Sequence, residues 1–514
     1  MHLGQGLNRA VQTRPAAPST IFRDRRRTWR ETADRIARLA GGLQANGLGR
    51  GDRVAILALN SDRYFELLFA VPGMGGMTVP LNTRLAPPEI AYMLEDSGAT
   101  MLFIDAAMAP AVHALQQRLA RVRQVFWLDD TPPPPGMRMF ESLLDAPPAA
   151  PFEAQDDDVA GIYYTGGTTG VSKGVMLTHR NLVTNAANMI VAVGYSSDSI
   201  YLHAPPMFHL ADGANTFAVT MLAGTHVFTP RFDPAAVAAL VAQERVTNTL
   251  LVPTMINALA NYPELDKYDL STLKMIPFGA SPMPDAVLQR ATEKLPWCRF
   301  LHVYGMTEGA PLCTALEPRD MEVPGRSRSC GKAAMLVEVR IADAEDNEAP
   351  RGTVGEVQVR GPNIMLGYWN KPEQTAAALR GGWYHSGDGG FMDDDGYVYI
   401  VDRLKDMIIS GGENIYSAEV ENAILTLDAV GEAAVIGIPD DKWGEAVHAV
   451  VVPRAGRTVT EAEVIAHCRA IIAHYKCPHS VEVRDRPLPL SGAGKVLKTE
   501  LRVPFWAGRE KRVN

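Results

Sequence analysis

Residues 164–174, YTGGTTGVSKG, hold four glycines, three threonines, a serine and a lysine directly after an apolar run. Glycines at Gly166, Gly167 and Gly170 let a backbone take positive φ and approach a ligand closely. Successive N–H groups in such a turn form an anion nest; Thr165, Thr168 and Thr169 add hydroxyl donors, and Lys173 adds a point charge. That is chemistry for holding a polyphosphate. The spacing is not that of a Walker A loop, because Gly174 follows Lys173. Taken alone, the same residues equally describe a glycine–threonine surface loop.

Four further stretches could share that ligand. Residues 304–308, YGMTE, close a predicted strand, where ligands of open α/β sheets lie; Tyr304 offers a flat face for a base, Thr307 a hydroxyl and Glu308 a hard oxygen for Mg²⁺. Residues 383–388, WYHSGD, end on Asp388, whose carboxylate suits two ribose hydroxyls. Residues 402–417, DRLKDMIISGGENIYS, run from a charged junction into an apolar strand and then Gly411 and Gly412. Residues 487–498, PLPLSGAGKVLK, set Lys495 after a Gly-Ala-Gly turn. Each also has a bland reading: a solvated loop glutamate, a turn aspartate, a charged tail lysine.

The elements that must position these residues alternate. Apolar runs at 54–60, 78–81, 101–104 and 125–128 read as strands, with helical patterns at 62–71, 88–95 and 107–120 between them. Beyond the loop, 179–193 reads as helix; 226–228, 249–252, 275–278 and 300–304 read as strands, and 235–245 and 285–294 as helices. This rhythm predicts parallel sheet with crossover helices. The arginine-rich residues 23–30 are expected to form a solvated hairpin leading into a helix at 31–43, and proline-rich 131–151 a surface connection. From about 337 short strands (337–341, 355–360, 397–401) predict a β-rich subdomain, and past 403 a smaller mixed unit follows. There Thr460 and Glu463 form a capping box opening a helix whose apolar face is Val464, Ile465, Cys468, Ile471, Ile472 and Tyr475.

With 514 residues, two or more domains are expected. A formal net charge of −8 argues against non-specific nucleic-acid binding. The five cysteines lack C-x-x-C spacing and read as thiols in a reducing compartment, with neither disulfide framework nor zinc site. No leader-like apolar segment and no membrane-length run occurs, so a cytoplasmic protein is expected.

In order and spacing these stretches together resemble the adenylate-forming superfamily of acyl-CoA synthetases, luciferases and peptide-synthetase adenylation domains. The resemblance extends over nearly the whole chain and adds an aromatic-histidine segment at 206–209 (PMFH) and an adenine segment at 279–283 (GASPM). Gly166 stands where the family commonly has serine, and Ser172 where it commonly has proline.

The resemblance implies an α/β protein: a large domain at 1–403, made of two αβ-layered subdomains and a β-rich one, and a small mobile α+β domain at 404–514. It implies a carboxylic acid–CoA ligase using ATP, Mg²⁺ and coenzyme A through an acyl-adenylate. Thr165, Gly166, Gly167, Thr168, Thr169, Gly170 and Lys173 would handle the phosphates, Glu308 the metal and Thr307 the α-phosphate. Gly279, Ala280, Ser281, Tyr304, Gly305 and Met306 would border adenine, with Asp388 and Arg403 on the ribose. Lys495 would bridge substrate carboxylate and α-phosphate. Lys405 would be the hinge, Gly411 and Gly412 the wall of the pantetheine path, and Trp443 a contact for the coenzyme nucleotide or an aromatic packed between domains. His209 would face the acyl group or order its own segment.

Amino-acid adenylation domains place an aspartate where His209 stands, which argues against an amino-acid substrate. The neutral neighbours Met207, Phe208, Ala214 and Phe217 suit an aryl or medium-to-long aliphatic acid. The alternatives are a ligase that loads a carrier protein, a luciferase-like oxygenase, or a non-catalytic nucleotide-binding homologue. A homodimer is the prior for such an enzyme.

Overall fold

The computed structural model describes residues 1–115, 121–150, 154–165, 172–281, 283–403, 406–410, 413–440, 442–490 and 496–507; of these, only the backbone is described at Ala114, Arg403 and Asn414. The chain divides into two compact units, one of residues 1–339 and 359–384, the other of 340–358 and 385–514. This grouping gathers the β-rich segment with the C-terminal part, where the sequence reading had grouped it with the N-terminal part.

In the first unit, side-chain alternation builds the layers. Strands Arg53–Leu57, Met101–Ile104 and Gln124–Trp127 belong to an eight-stranded sheet. Val54, Ile56, Phe103 and Phe126 point to one core, while Ala55, Leu57, Leu102 and Ile104 point to another beneath helices Pro87–Ser97 and Ala109–Leu115. A second sheet repeats the pattern. Tyr201, Phe228 and Met275 join the first core, whereas Leu202, Val227, Ile276 and Phe278 pack under Pro234–Glu244, Pro253–Ala260 and Asp285–Lys294. Helices Trp29–Ala45, Asp62–Ala70, His179–Val193 and Leu210–Met221 fill the space shared by the two sheets. The two αβ-layered subdomains are therefore present as expected.

Three expectations are corrected. Residues 249–252 form no strand: Asn248 alone bridges to Tyr201 and Met275, because Pro253 starts a helix and the Thr249 hydroxyl is given to the Leu202 carbonyl (2.9 Å). The proline-rich connection is not merely superficial, since Phe140 is wholly buried edge-on to Phe103. The arginine-rich residues do form a hairpin, Pro18–Phe22 with Arg25–Thr28, capped into the next helix by Thr28 and Glu31. Its arginines are not simply solvated, however. Arg25 grips buried Asp62 with two bonds (2.9 and 2.7 Å) and Arg27 also pairs with it. Arg35 takes Glu66 (2.6 and 3.0 Å) and Glu141, while Arg63 takes Glu141 and Asp130. Four guanidinium groups thus meet four carboxylates, Asp62 and Glu66 in the interior and Glu141 and Asp130 toward its edge, in pairings that arginine forks suit.

The second unit carries a sheet of order Glu338–Ala342, Gly355–Arg360, Tyr384–Met392, Val398–Arg403, and a five-stranded sheet around Val430–Asp440 and Gly444–Pro453. The capping box of Thr460 and Glu463 is formed. Val464 and Cys468 are buried, but Ile471 and Tyr475 are about half exposed, because the helix ends at Ile471 and the chain turns away.

Candidate functional site

The glycine–threonine stretch separates two paired strands in sequence. Strand Val159–Thr165 pairs antiparallel with Lys173–Thr178, and Thr165 lies opposite Lys173. Gly166, Gly167, Thr168, Thr169 and Gly170 lie outside the described residues. In sequence the first strand shows only as an apolar run, and the Lys-Gly start of the second hides its β character. Thr178 then caps helix His179–Val193 through a box with Asn181. Strand Gly367–Tyr368 pairs beyond Lys173–Thr178, with Tyr368 opposite Val175. Lys173 therefore sits diagonally from Tyr368 on one face of the sheet, within reach of a long side chain, and its ammonium lies 4.9 Å from the centre of the Tyr368 ring.

The two strands Met275–Gly279 and Arg299–Gly305 run parallel, with Gly279 beside Val303. Both end in glycine for a steric reason: a Cβ on Gly279 would lie 2.1 Å from the Val303 carbonyl oxygen, and one on Gly305 1.8 Å from that of Pro311. Ala280 continues at φ 67°, turning the chain sharply outward into Ser281. Gly279, Ala280, Ser281, Tyr304, Gly305 and Met306 are thus gathered at neighbouring carboxyl ends, the location at which α/β sheets bind ligands.

Thr307 and Glu308 open the 3-10 turn Thr307–Gly309, and Glu308 is 9% exposed. The Asn363 amide donates to the Gly309 and Leu312 carbonyls (2.8 and 3.3 Å), and the Met365 N–H donates to the Glu308 carbonyl (2.8 Å). The Tyr368 hydroxyl donates to Glu308 Oε1 at 2.9 Å. Tyr384 is buried within electrostatic reach of both Tyr368 and Glu308. Burial, then the nearby Glu308 carboxylate, pushes both phenols up, which keeps them protonated donors at neutral pH. No lysine or arginine among the described residues makes an ion pair with Glu308. A buried carboxylate with a neutral hydroxyl on one oxygen and no cationic partner among the described residues fits Mg²⁺, which takes one or two carboxylates and completes its shell with phosphate oxygens and water. Tyr368 and Tyr384 were not foreseen; the only sequence signal is an aromatic after Gly367, and its partner is 60 positions away.

His209 is the N-cap residue of helix Leu210–Met221, with its ring 4.5 Å from that of Phe208. Met207, Phe208, Ala214 and Phe217 are all buried. The neutral description of this segment needs one correction, since Asp212 is a wholly buried carboxylate within it. Its charge is committed inward: Tyr201 donates to it at 2.9 Å and His203 Nδ1 lies at 2.7 Å. His203 Nε2 meets His226 Nδ1 (3.1 Å), and His226 Nε2 meets the Thr220 hydroxyl (3.1 Å). Burial drives His226 well below the usual imidazole range, so it stays neutral. Asp212 is consumed by this chain of partners.

In the second unit Asp388 is buried, its N–H donating to the Ser386 hydroxyl (3.0 Å), and it faces Arg403 across two antiparallel strands. Trp443 is 42% exposed at the turn between the two long strands, with the Lys442 ammonium 4.4 Å from its ring centre. Of the two lysines in the 487–498 stretch, Lys498 is occupied: it pairs with Glu421 (2.7 Å) and touches the Ser417 hydroxyl, which is held by Asp402. Lys405, Gly411, Gly412 and Lys495 lie outside the described residues. Asp346, Glu356 and His385 bring three potential ligand atoms within 4.8 Å of one another. The Gln358 amide nitrogen sits 2.9 Å from Asp346 and 3.0 Å from His385, however, taking the place a cation would need.

A hairpin carrying Lys173, glycine-ended parallel strands and a buried carboxylate, followed by a separate smaller unit, make this an α/β protein of two units. The chain belongs to the AMP-binding enzyme family, whose model matches residues 7–369, and the AMP-binding enzyme C-terminal domain matches 419–495. It is 43% identical to a feruloyl-CoA synthase from Amycolatopsis sp over 98% of this chain and 99% of that protein. It is 36% identical to an indoleacetate–CoA ligase from Aromatoleum aromaticum over 98% of each. Among solved structures, ATP-bound MatB from Rhodopseudomonas palustris superposes with a TM-score of 0.88 at 30% identity, covering 99% of this chain and 100% of that one.

Proposed function

We propose that the protein is an AMP-forming carboxylic acid–CoA ligase with an aromatic acid as its substrate. The observation that carries the reading is Glu308, a buried carboxylate that no arginine or lysine among the described residues neutralises, held in the same unit as the Lys173 hairpin. The aromatic assignment is supported by the likeness to feruloyl-CoA synthase and indoleacetate–CoA ligase. It is supported too by an acyl segment whose one carboxylate, Asp212, is turned inward. A medium- or long-chain fatty acid is the neighbouring choice.

The acid's carboxylate oxygen attacks the α-phosphorus of ATP. The bond to the β-phosphate breaks, pyrophosphate leaves, and an acyl-adenylate forms. The sulfur of coenzyme A then attacks the acyl carbon, AMP leaves with the bonding pair, and the thiol proton passes to solvent. Two anions must meet in the first step, so positioning and positive charge dominate. Thr165, Thr168, Thr169 and Lys173 hold the β- and γ-phosphates; Ala280, Ser281 and Tyr304 border adenine; Asp388 and Arg403 hold the ribose. Glu308 would hold Mg²⁺, which would supply positive charge at the phosphates. Lys495 bridges the two reacting anions, a role for which Lys498 is unsuited because Glu421 and Ser417 already engage it.

The C-terminal part, bounded near 403/404 and pivoting at Lys405, presents Lys495 for the first step, and Gly411 and Gly412 with Trp443 for the second. Lys405→Pro accordingly impairs thioester formation more than adenylation; equal damage to both would remove the hinge. No helix among the described residues is long and apolar enough to cross a membrane, and the enzyme acts in the cytoplasm as a homodimer in this reading. The test is AMP and pyrophosphate release across hydroxycinnamic, arylacetic and fatty acids, with CoA and with an acyl-carrier protein as acceptor. The expected result is turnover with an aryl acid and CoA. Turnover only with a carrier protein, or none with any acid, would reject the assignment.

A further inference from the structure

We propose that Tyr368 is a positioning residue that ties the phosphate lysine to the metal carboxylate, its hydroxyl setting Glu308 and its ring face seating Lys173. The proposal rests on the adenylation reading for its metal and nucleotide. Two independent contacts carry it. The hydroxyl donates to Glu308 Oε1 at 2.9 Å, and the ring centre lies 4.9 Å from Lys173 Nζ. One side chain thus touches both groups expected to meet the triphosphate, although they stand far apart in sequence.

The placement follows from strand pairing. Tyr368 lies opposite Val175 and Gly367 opposite Met176, so a register slip of one residue would send the ring to the other face of the sheet. The register is pinned by the Trp369 N–H to the Gly174 carbonyl (2.7 Å) and the Leu366 N–H to that of Met176 (3.0 Å). The Thr375 hydroxyl accepts the Tyr368 N–H at 2.9 Å, and Tyr384 lies within electrostatic reach of the phenol. A hydroxyl donor steadies a carboxylate without cancelling its charge, as a guanidinium would. The carboxylate can then be both fixed and available. An ammonium over an aromatic face is likewise held without being neutralised, so Lys173 keeps its charge for phosphate.

The test compares Tyr368→Phe, Tyr368→Leu and Tyr384→Phe. Mn²⁺ affinity is read by electron paramagnetic resonance on the enzyme with α,β-methylene-ATP, which cannot form the adenylate. Losing one hydrogen bond to a charged group predicts a Kd for Mn²⁺ raised roughly tenfold in Tyr368→Phe. Metal-free nucleotide affinity should change by less than about twofold, since the ring remains. Tyr368→Leu should in addition weaken metal-free nucleotide binding about threefold by unseating Lys173. Tyr384→Phe, which spares Tyr368, should move Mn²⁺ affinity in the same direction by a smaller factor; it decides the matter if the Tyr368 variants do not fold. Pyrophosphate exchange in Tyr368→Phe should recover at high Mg²⁺. Wild-type Mn²⁺ affinity in Tyr368→Phe, or in Tyr384→Phe where that variant must decide, would overturn the proposal, as would no Mn²⁺ binding by the wild-type complex. If Mn²⁺ binding depends on Tyr368 yet the wild type makes AMP from no acid, the adenylation reading falls while the coupling stands.

Discussion

Two sets of buried carboxylates lie in the first unit, and their partners separate them. Asp62 and Glu66 are 1% exposed and sit among Arg25, Arg27, Arg35 and Arg63, with Glu141 and Asp130 completing the balance. Glu308, 9% exposed, receives the Tyr368 hydroxyl on Oε1 and no arginine or lysine among the described residues. Burial of charge is therefore not the mark of a site. A guanidinium fork satisfies a carboxylate and fastens strand to helix; a neutral hydroxyl orients it and leaves its charge for a ligand. Asp212 belongs with the first group, since Tyr201 and His203 occupy both its oxygens.

The contrast can be broken by removing charges of each kind. Lys495→Ala has the largest expected effect. A unit charge at about 4 Å is worth roughly 4 kcal/mol at an effective dielectric near 20, or about three decades in rate. Acid-dependent ATP–pyrophosphate exchange should fall by that factor, thioester formation from supplied acyl-adenylate should persist, and thermal stability should be unchanged. Equal loss of both half-reactions would defeat the role.

Asp62→Asn acts on the other group. It leaves Arg25 and Arg27 without their shared anion and should cost about 3–5 kcal/mol of stability, seen as a lower urea midpoint. A fall below 1 kcal/mol would mean that the network is ornamental. Acid probes the same carboxylate without mutation. Hydrogen bonding and charge from Arg25 and Arg27 outweigh burial and hold Asp62 at about 2, below its ordinary 3.8. Its contribution is thus complete above about pH 4 and is lost as pH falls toward 2, amounting to about 2 kcal/mol. Burial pushes Glu66 upward instead, so its protonation at low pH offsets part of that loss. Urea midpoints measured between pH 6 and pH 2 check the sum.

The smallest effect should come from Lys267→Ala. Its pair with Glu264 is 68% and 50% exposed, and removing it should change stability by less than about 0.5 kcal/mol.

What the sequence disclosed follows the same division. Local patterns were legible: strand Met101–Ile104 and helices His179–Val193 and Asp285–Lys294 fall where periodicity sets them. So does the Thr460–Glu463 cap. Partnerships across the chain were not. The fates of Arg25, Asp212 and Lys498 depend on residues brought near only by folding, and Tyr368 is ordinary in sequence until its strand pairs beside Lys173. Strand Lys173–Thr178 was missed because its evidence is its partner, Val159–Thr165, across the loop.

The central claim is that Glu308 serves a ligand while Asp62 serves the fold. Glu308→Gln keeps the shape and can still accept the Tyr368 hydroxyl, so the measurement is its thermal midpoint alongside Mg²⁺-dependent ATP–pyrophosphate exchange. The account predicts an unaltered or higher midpoint with exchange reduced about a hundredfold or more, the scale of one lost electrostatic group at a reacting centre. A lower midpoint with exchange retained would contradict it.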